Sequence, residues 1–240
     1  MGSHRWTFRR ALLAGTLAGV VVIAAIAAYV FATGGLRPAH AGADDVIVVL
    51  ILPDEDGVAI PRTIARYAAI APAALHVDPL TPAKIAGTGY DTLRDAYPFG
   101  GGSGLASALH GATPPPPGAA ASGPRPAYVL VDRDALIALA TLGGMNARLT
   151  LDNPEHMEVF DGSAMYTFTE GSITVDPADL PALFNGAEYL TEADRESLRV
   201  QVAGEIVSRL VSAPGSFDSV ETDLSAEEFA TWLAAVAPNH

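Results

Sequence analysis

Hydrophobic and polar positions divide the chain into one long uncharged run, several short apolar runs and segments with helical periodicity. Residues 11–32 give twenty-two consecutive positions without a charge, rich in Ala, Val, Ile and Leu. As a helix this run is about 33 Å long, enough to cross a hydrocarbon core of roughly 30 Å. Residues 46–52 are apolar without alternation, which predicts a strand buried on both faces. Pro53 bounds it and Asp54 to Gly57 make a turn. A short strand over 58–60 is expected next, before Pro61 opens a helix through Tyr67, since proline's missing N–H is harmless in a first helical turn.

Further along, residues 91–97 and 105–110 read as short helices flanking a glycine-rich loop, Phe99-Gly-Gly-Gly-Ser-Gly104. The proline run from Thr113 to Gly118 and the small residues after it read as a surface loop. Residues 127–131 form an apolar strand, and 135–142 a helix capped by an aspartate before it and ended by Gly143-Gly144. Strands are expected at 147–151, 157–160, 165–168 and 173–175, separated by Asn-Pro, Asp-Gly and Glu-Gly turns. Thr191-Glu-Ala-Asp194 and Ser225-Ala-Glu-Glu228 carry helix-capping signatures. Leu198, Val202, Ile206 and Leu210 repeat about one turn apart behind the first, and Phe229, Trp232 and Leu233 share a face behind the second. The alternation of strands and helices predicts an α/β fold: a mixed-sheet α/β/α sandwich in a single domain.

Charge then assigns a topology. Arg5, Arg9 and Arg10 precede the uncharged run and Arg37 alone follows closely, which favours an inside N-terminus and an outside C-terminus. The expected division is a cytoplasmic basic tail at 1–10, a transmembrane signal anchor at 11–32, a tether at 33–43 and an extracytoplasmic domain at 44–240. Ala39-His40-Ala41 also fits a signal-peptidase site, and cleavage there would release the domain near Gly42. Both routes export the same body. All 27 acidic residues lie after residue 43, against ten basic ones, so that body carries −17 where the whole chain carries −13. Such a surface repels nucleic acid and anionic headgroups at long range. The chain has no cysteine, which excludes disulfides, thiolate catalysis and Cys-ligated metal.

Few motifs carry chemistry. No H-E-x-x-H, G-x-S-x-G or P-loop pattern occurs, and the six histidines are dispersed. The glycines at 100–104 lack the Lys-Ser/Thr ending that gives a phosphate loop its charge. The candidates are arginines: Arg62, just after a buried strand and its turn, and Arg195 with Arg199, four apart on one helix face. Two guanidinium groups one turn apart can grip phosphate oxygens bidentately. They can equally serve Glu192, Asp194 and Glu196 in surface ion pairs.

At these residues the sequence resembles the LytR–CpsA–Psr family of cell-envelope proteins, over about residues 44–211. Asp44-Asp45 stands where the family has an acid that helps bind a divalent cation. Ala59-Ile-Pro-Arg-Thr63 is similar to Ser-Ile-Pro-Arg-Asp, with Thr63 in place of the acid. Thr92-Leu-Arg-Asp-Ala-Tyr97 with Gly100-Gly101 resembles Lys-Ile-Asn-Ala-Ala-Tyr-x-x-Gly-Gly, with Thr92 in place of the lysine. Tyr128 to Gly144 matches the family's strand–helix–Gly-Gly segment, and Phe168-Thr-Glu-Gly171 its Phe-x-x-Gly. The following Tyr-x-Arg arginine is absent near 182–184, and Arg199 falls one residue late for the second arginine after Glu192-Ala-Asp-Arg195. The resemblance implies a transmembrane anchor, an extracytoplasmic α/β domain, and transfer of glycopolymers from an undecaprenyl-pyrophosphate carrier to peptidoglycan. It further implies Mg²⁺ held with Asp44 and Asp45, and a pyrophosphate neutralised by Arg62, Arg195 and Arg199. The lost charged positions leave a second expectation open: a non-catalytic envelope protein that binds a polyprenyl lipid, a glycopolymer or a wall protein.

Overall fold

The computed structural model describes residues 40–68, 73–84, 91–113 and 123–237. The expected tail, signal anchor and most of the tether lie outside the described residues. Among the described residues no helix is long and apolar enough to cross a membrane.

A five-stranded mixed sheet organises the body, in the order β3-β2-β1-β4-β9. Strand β1 (Asp45–Pro53) is central because every side chain from Asp45 to Leu52 is buried, as the unbroken apolar run predicts. It runs parallel to β4 (Ala127–Val131) and antiparallel to β2 (Ala59–Ala68). The outer strands are β3 (Leu75–Val77), antiparallel to β2, and β9 (Glu221–Thr222), antiparallel to β4. Two small antiparallel ribbons stand apart from this sheet: β5 (Leu149–Asn153) with β8 (Gly171–Val175), and β6 (Met157–Phe160) with β7 (Met165–Phe168).

The two faces of β1 feed two cores. Ile47, Val49 and Ile51 pack with Leu93, Leu105 and Leu109 of helix α1 (Leu93–Ala112). Val46, Val48, Leu50 and Leu52 pack with helices α2 (Arg133–Leu142), α3 (Leu180–Ala187), α4 (Glu192–Ser212) and α5 (Ala226–Val236), together with the ribbons. The architecture is the mixed α/β/α sandwich expected. The caps are also present: Asp132 accepts from Ala135 N, Thr191 from Asp194 N, and Ser225 with Glu228 forms a full capping box.

Two expectations are overturned. Residues 61–67 are not a helix but the middle of β2, a single strand over Ala59–Ala68. With β1 exposing a continuous ladder beside them, β-branched Thr63 and Ile64 pair across it rather than coil. The glycine-rich segment is not a loop either. It continues α1 through a kink at Gly101, which alone in that helix has non-helical angles (φ 57°, ψ −156°). A β-carbon at Gly102 would lie 2.5 Å from the ring of Tyr128, so that glycine brings the helix against β4. Helix α3 and the short strands β3 and β9 were not foreseen.

Candidate functional site

Strand β2 carries two arginines four residues apart, and the sheet sends them to opposite ends of itself. The β1–β2 ladder shifts register between Leu50, opposite Thr63, and Ile51, opposite Pro61. Arg62 is therefore the supernumerary residue of a β-bulge, a device that interrupts pairing and re-aims a side chain. Pro61 is tolerated beside it because β3 pairs only with residues 64–66, leaving no donor owed on the other edge.

Arg62 is 4% exposed and reaches the end of β1. Its Nη2 donates to the Pro53 carbonyl at 2.9 Å and to Asn185 Oδ1 at 2.6 Å. Its Nη1 donates to Glu188 Oε1 at 3.3 Å, and its Nε has no hydrogen-bond partner. Burial lowers its pKa from 12.5 to about 10; Glu188 opposes this and nearby Arg94 adds to it. The group stays charged at neutral pH, as a partly desolvated cation.

Three further arginines line the same pocket, a space of about 170 Å³. Arg94 comes from the first turn of α1, and its Nη1 donates to Glu188 Oε1 at 3.1 Å while Nη2 lies 3.9 Å from Asp54 Oδ2. Arg195 and Arg199 come from α4, one turn apart as expected. They do not pair with their helix neighbours. Arg195 Nη1 donates to the Glu188 carbonyl at 3.2 Å, and Arg199 Nη1 meets Asp78 Oδ2 at 2.9 Å. The Nε atoms of both are buried without a hydrogen-bond partner. Pro79, Leu80, Phe184 and Ala187 give the pocket an apolar flank.

The charge is concentrated to an unusual degree. Four of the ten basic residues after residue 43 meet here, in a body of −17. With Asp54, Asp78 and Glu188 counted against them, the pocket keeps one net positive charge. Guanidinium groups held by hydrogen bonds and ion pairs, two of them buried (Arg62 and Arg199), suit phosphoryl oxygens, whose charge they can meet with little reorganisation.

The structure thus brings Arg62, Arg195 and Arg199 together, and leaves the two aspartates elsewhere. Asp45 begins β1, opposite Ala68, whereas Arg62 sits beside Ile51. Six residues of strand separate them, roughly 20 Å. Both Asp45 carboxylate oxygens accept from Arg66, at 2.8 Å from Nε and 2.6 Å from Nη2. Asp44 is exposed in the single 3₁₀ turn before β1. The expected Mg²⁺ site of Asp44 and Asp45 beside the arginines is therefore not assembled: sheet register puts those acids at the far end. Among the described residues no group of three or more His, Asp and Glu side chains could hold a metal.

Sequence reasoning missed Arg94, Asn185, Glu188 and Asp78. Arg94 carried a signal, as one of few cations in an acidic body and two residues beyond Thr92 in the quoted motif. The other three lie on α3, its end and the end of β3, whose positions only the fold supplies.

No family model matches the chain, and no curated protein does. Solved structures align with it broadly. Bacillus subtilis TagV matches at 15% identity and a TM-score of 0.51, over 82% of this chain and 80% of its own. A protein of Eubacterium siraeum matches at 14% identity and 0.52, over 86% and 80%. The LytR–CPS2A–psr family protein TagT with bound octaprenyl pyrophosphate lipid aligns at 14% identity and 0.45, over 84% and 76%. The chain shares the fold of LytR–CpsA–Psr proteins, as the resemblance implied.

Proposed function

We propose that the domain works outside the cytoplasmic membrane, where its arginine pocket binds the pyrophosphate of a polyprenyl-linked glycopolymer and promotes transfer of the polymer to peptidoglycan. The observation that carries this reading is the convergence of Arg62, Arg94, Arg195 and Arg199 on one pocket of an acidic body. In such a transfer an acceptor hydroxyl attacks the phosphorus that bears the glycan, the bridging P–O bond breaks, and prenyl phosphate leaves with the bond electrons. The acceptor's proton passes to solvent or to a pocket carboxylate. Charge grows on the bridging and non-bridging oxygens, and the four guanidinium groups are the donors available to them. A bound Mg²⁺ would add Lewis acidity. Asp44 and Asp45 do not reach this pocket, so the scheme rests on the arginines alone.

A second reading is a binder of the same lipid, of a glycopolymer or of a wall protein, without transfer. It is favoured by the ion pairing of Asp54, Asp78 and Glu188 with pocket arginines, which commits all three carboxylates to guanidinium groups rather than to an acceptor hydroxyl.

Binding of a prenyl pyrophosphate to the full chain in detergent micelles, in Mg²⁺ and in EDTA, tests the pocket. Saturable binding that Arg62→Ala weakens about 100-fold is expected. Absence of binding, or binding indifferent to that substitution, would overturn the proposal. Turnover of a lipid-linked glycan separates transferase from binder. The mass of the mature chain distinguishes a retained anchor from cleavage after Ala41.

A further inference from the structure

Glu188 holds an odd position for a carboxylate. It caps the C-terminal end of α3, where the helix's own carbonyls carry partial negative charge and an acid is disfavoured. It stays because cations surround it. One oxygen, Oε1, accepts from Arg62 Nη1 at 3.3 Å and from Arg94 Nη1 at 3.1 Å, while its main-chain carbonyl accepts from Arg195. Both carboxylate contacts are longer than the 2.7–2.9 Å of a well-formed charge-assisted bond. The side chain is 45% exposed, against 12% for Asp45 in its two-oxygen pairing with Arg66. Arg62 and Arg199, each buried, keep an Nε donor unused.

These features describe an occupant, not a strut. We propose that Glu188 is an internal anion that holds the arginine pocket in the free protein and swings out when a pyrophosphate group enters. The proposal rests on the reading of the pocket as a pyrophosphate site. With Glu188 in place the pocket is +1; with it withdrawn the same groups sum to +2, which matches the two charges of a pyrophosphate diester. The exposed flank lets the side chain leave by rotation about its own bonds, with no movement of α3. Exchange of one anion for another sets the affinity and selects against singly charged competitors, which recover too little to displace the carboxylate.

The test is isothermal titration of the full chain in detergent with inorganic pyrophosphate and, separately, farnesyl pyrophosphate. Wild type is compared with Glu188→Gln, each in Mg²⁺ and in EDTA. Glu188→Gln is expected to bind about tenfold more tightly, because the ligand no longer competes with a resident charge. A merely structural role predicts the opposite sign, since loss of an ion pair would loosen the arginines. A gain with the farnesyl compound alone assigns the exchange to a lipid headgroup, and a gain with inorganic pyrophosphate alone to a soluble ligand; either supports the exchange. Equal or weaker binding by Glu188→Gln overturns it while leaving the pocket intact. Loss of a Mg²⁺-dependent component on substitution also overturns it, by making Glu188 a metal ligand. No binding by either protein removes the pyrophosphate reading itself, and the exchange with it.

Discussion

Arg62 and Arg66 lie on one strand, are both nearly sealed from solvent, and differ in how completely their charge is answered. Arg66 meets both oxygens of a buried aspartate and donates to Thr113 Oγ1 at 3.1 Å. Nearby, at the same end of the sheet, Arg125 is paired with buried Asp223 at 2.8 Å. In charge that end is closed, since each guanidinium has a buried carboxylate of its own, although Arg125 Nε has no hydrogen-bond partner. At the other end Arg62 is given a carbonyl, an amide oxygen and a share of a half-exposed carboxylate, with its Nε left without a partner. Where a cation is saturated by the chain itself it stabilises only the native arrangement it belongs to; where it is left short, it retains something to offer a ligand.

Four changes would break or sharpen this contrast. The largest effect is expected from Arg66→Met, which leaves Asp45 buried and unpaired and should cost about 3–5 kcal/mol. Denaturant unfolding followed by Trp232 fluorescence checks it, and Asp45→Leu with Arg66→Met should recover most of the loss. Next, Arg62→Met should lower pyrophosphate affinity about 100-fold while changing stability by no more than about 1 kcal/mol, since removing a desolvated cation offsets the hydrogen bonds lost. Titration and unfolding of one preparation give both numbers. A stability loss as large as that of Arg66→Met would erase the distinction between the two ends. Asn185→Ala removes the neutral acceptor that aims Arg62 and should weaken binding about threefold to tenfold at nearly unchanged stability.

The smallest effect concerns His76, which pairs with Ala65 between the two arginines. Burial lowers its pKa below the usual 6.5, against the opposing influence of Glu196. The unfolded chain therefore protonates this group first, and stability falls as pH drops through about 6.5. His76→Gln should flatten the stability curve from about pH 6.5 downward, without altering ligand affinity.

Most of the scaffold was legible in the chain because its strongest signals are local. The unbroken run 46–52 could be little else than a doubly buried strand, and Asp132, Thr191 and Ser225 announced their helices by side chains that bond within three residues. Signals failed where a neighbour decides. Pro61 suits a helix start as well as a bulge on an uncovered edge, and only the presence of β1 selects the strand. Four glycines between Phe99 and Leu105 read as a loop because the packing that favours a helix there, Gly102 against Tyr128, is a tertiary contact. For the site, the arginines were visible as scarce cations, but which acid meets which arginine was not. Asp45 and Arg62 look adjacent in a motif-by-motif reading. Strand register separates them, and Arg66, which no motif marked, takes the aspartate instead.

The bulge at Arg62 has an evolutionary reading. Since Arg62 is the extra residue between two positions that already face their partners on β1, loss of its single codon would heal the ladder from Leu50 through Ile51. The sheet, its two cores and the closed end would keep their register, while the pocket lost its most deeply set cation. A lineage carrying this fold can therefore shed or regain the ligand site by one in-frame triplet, with the architecture inherited unchanged.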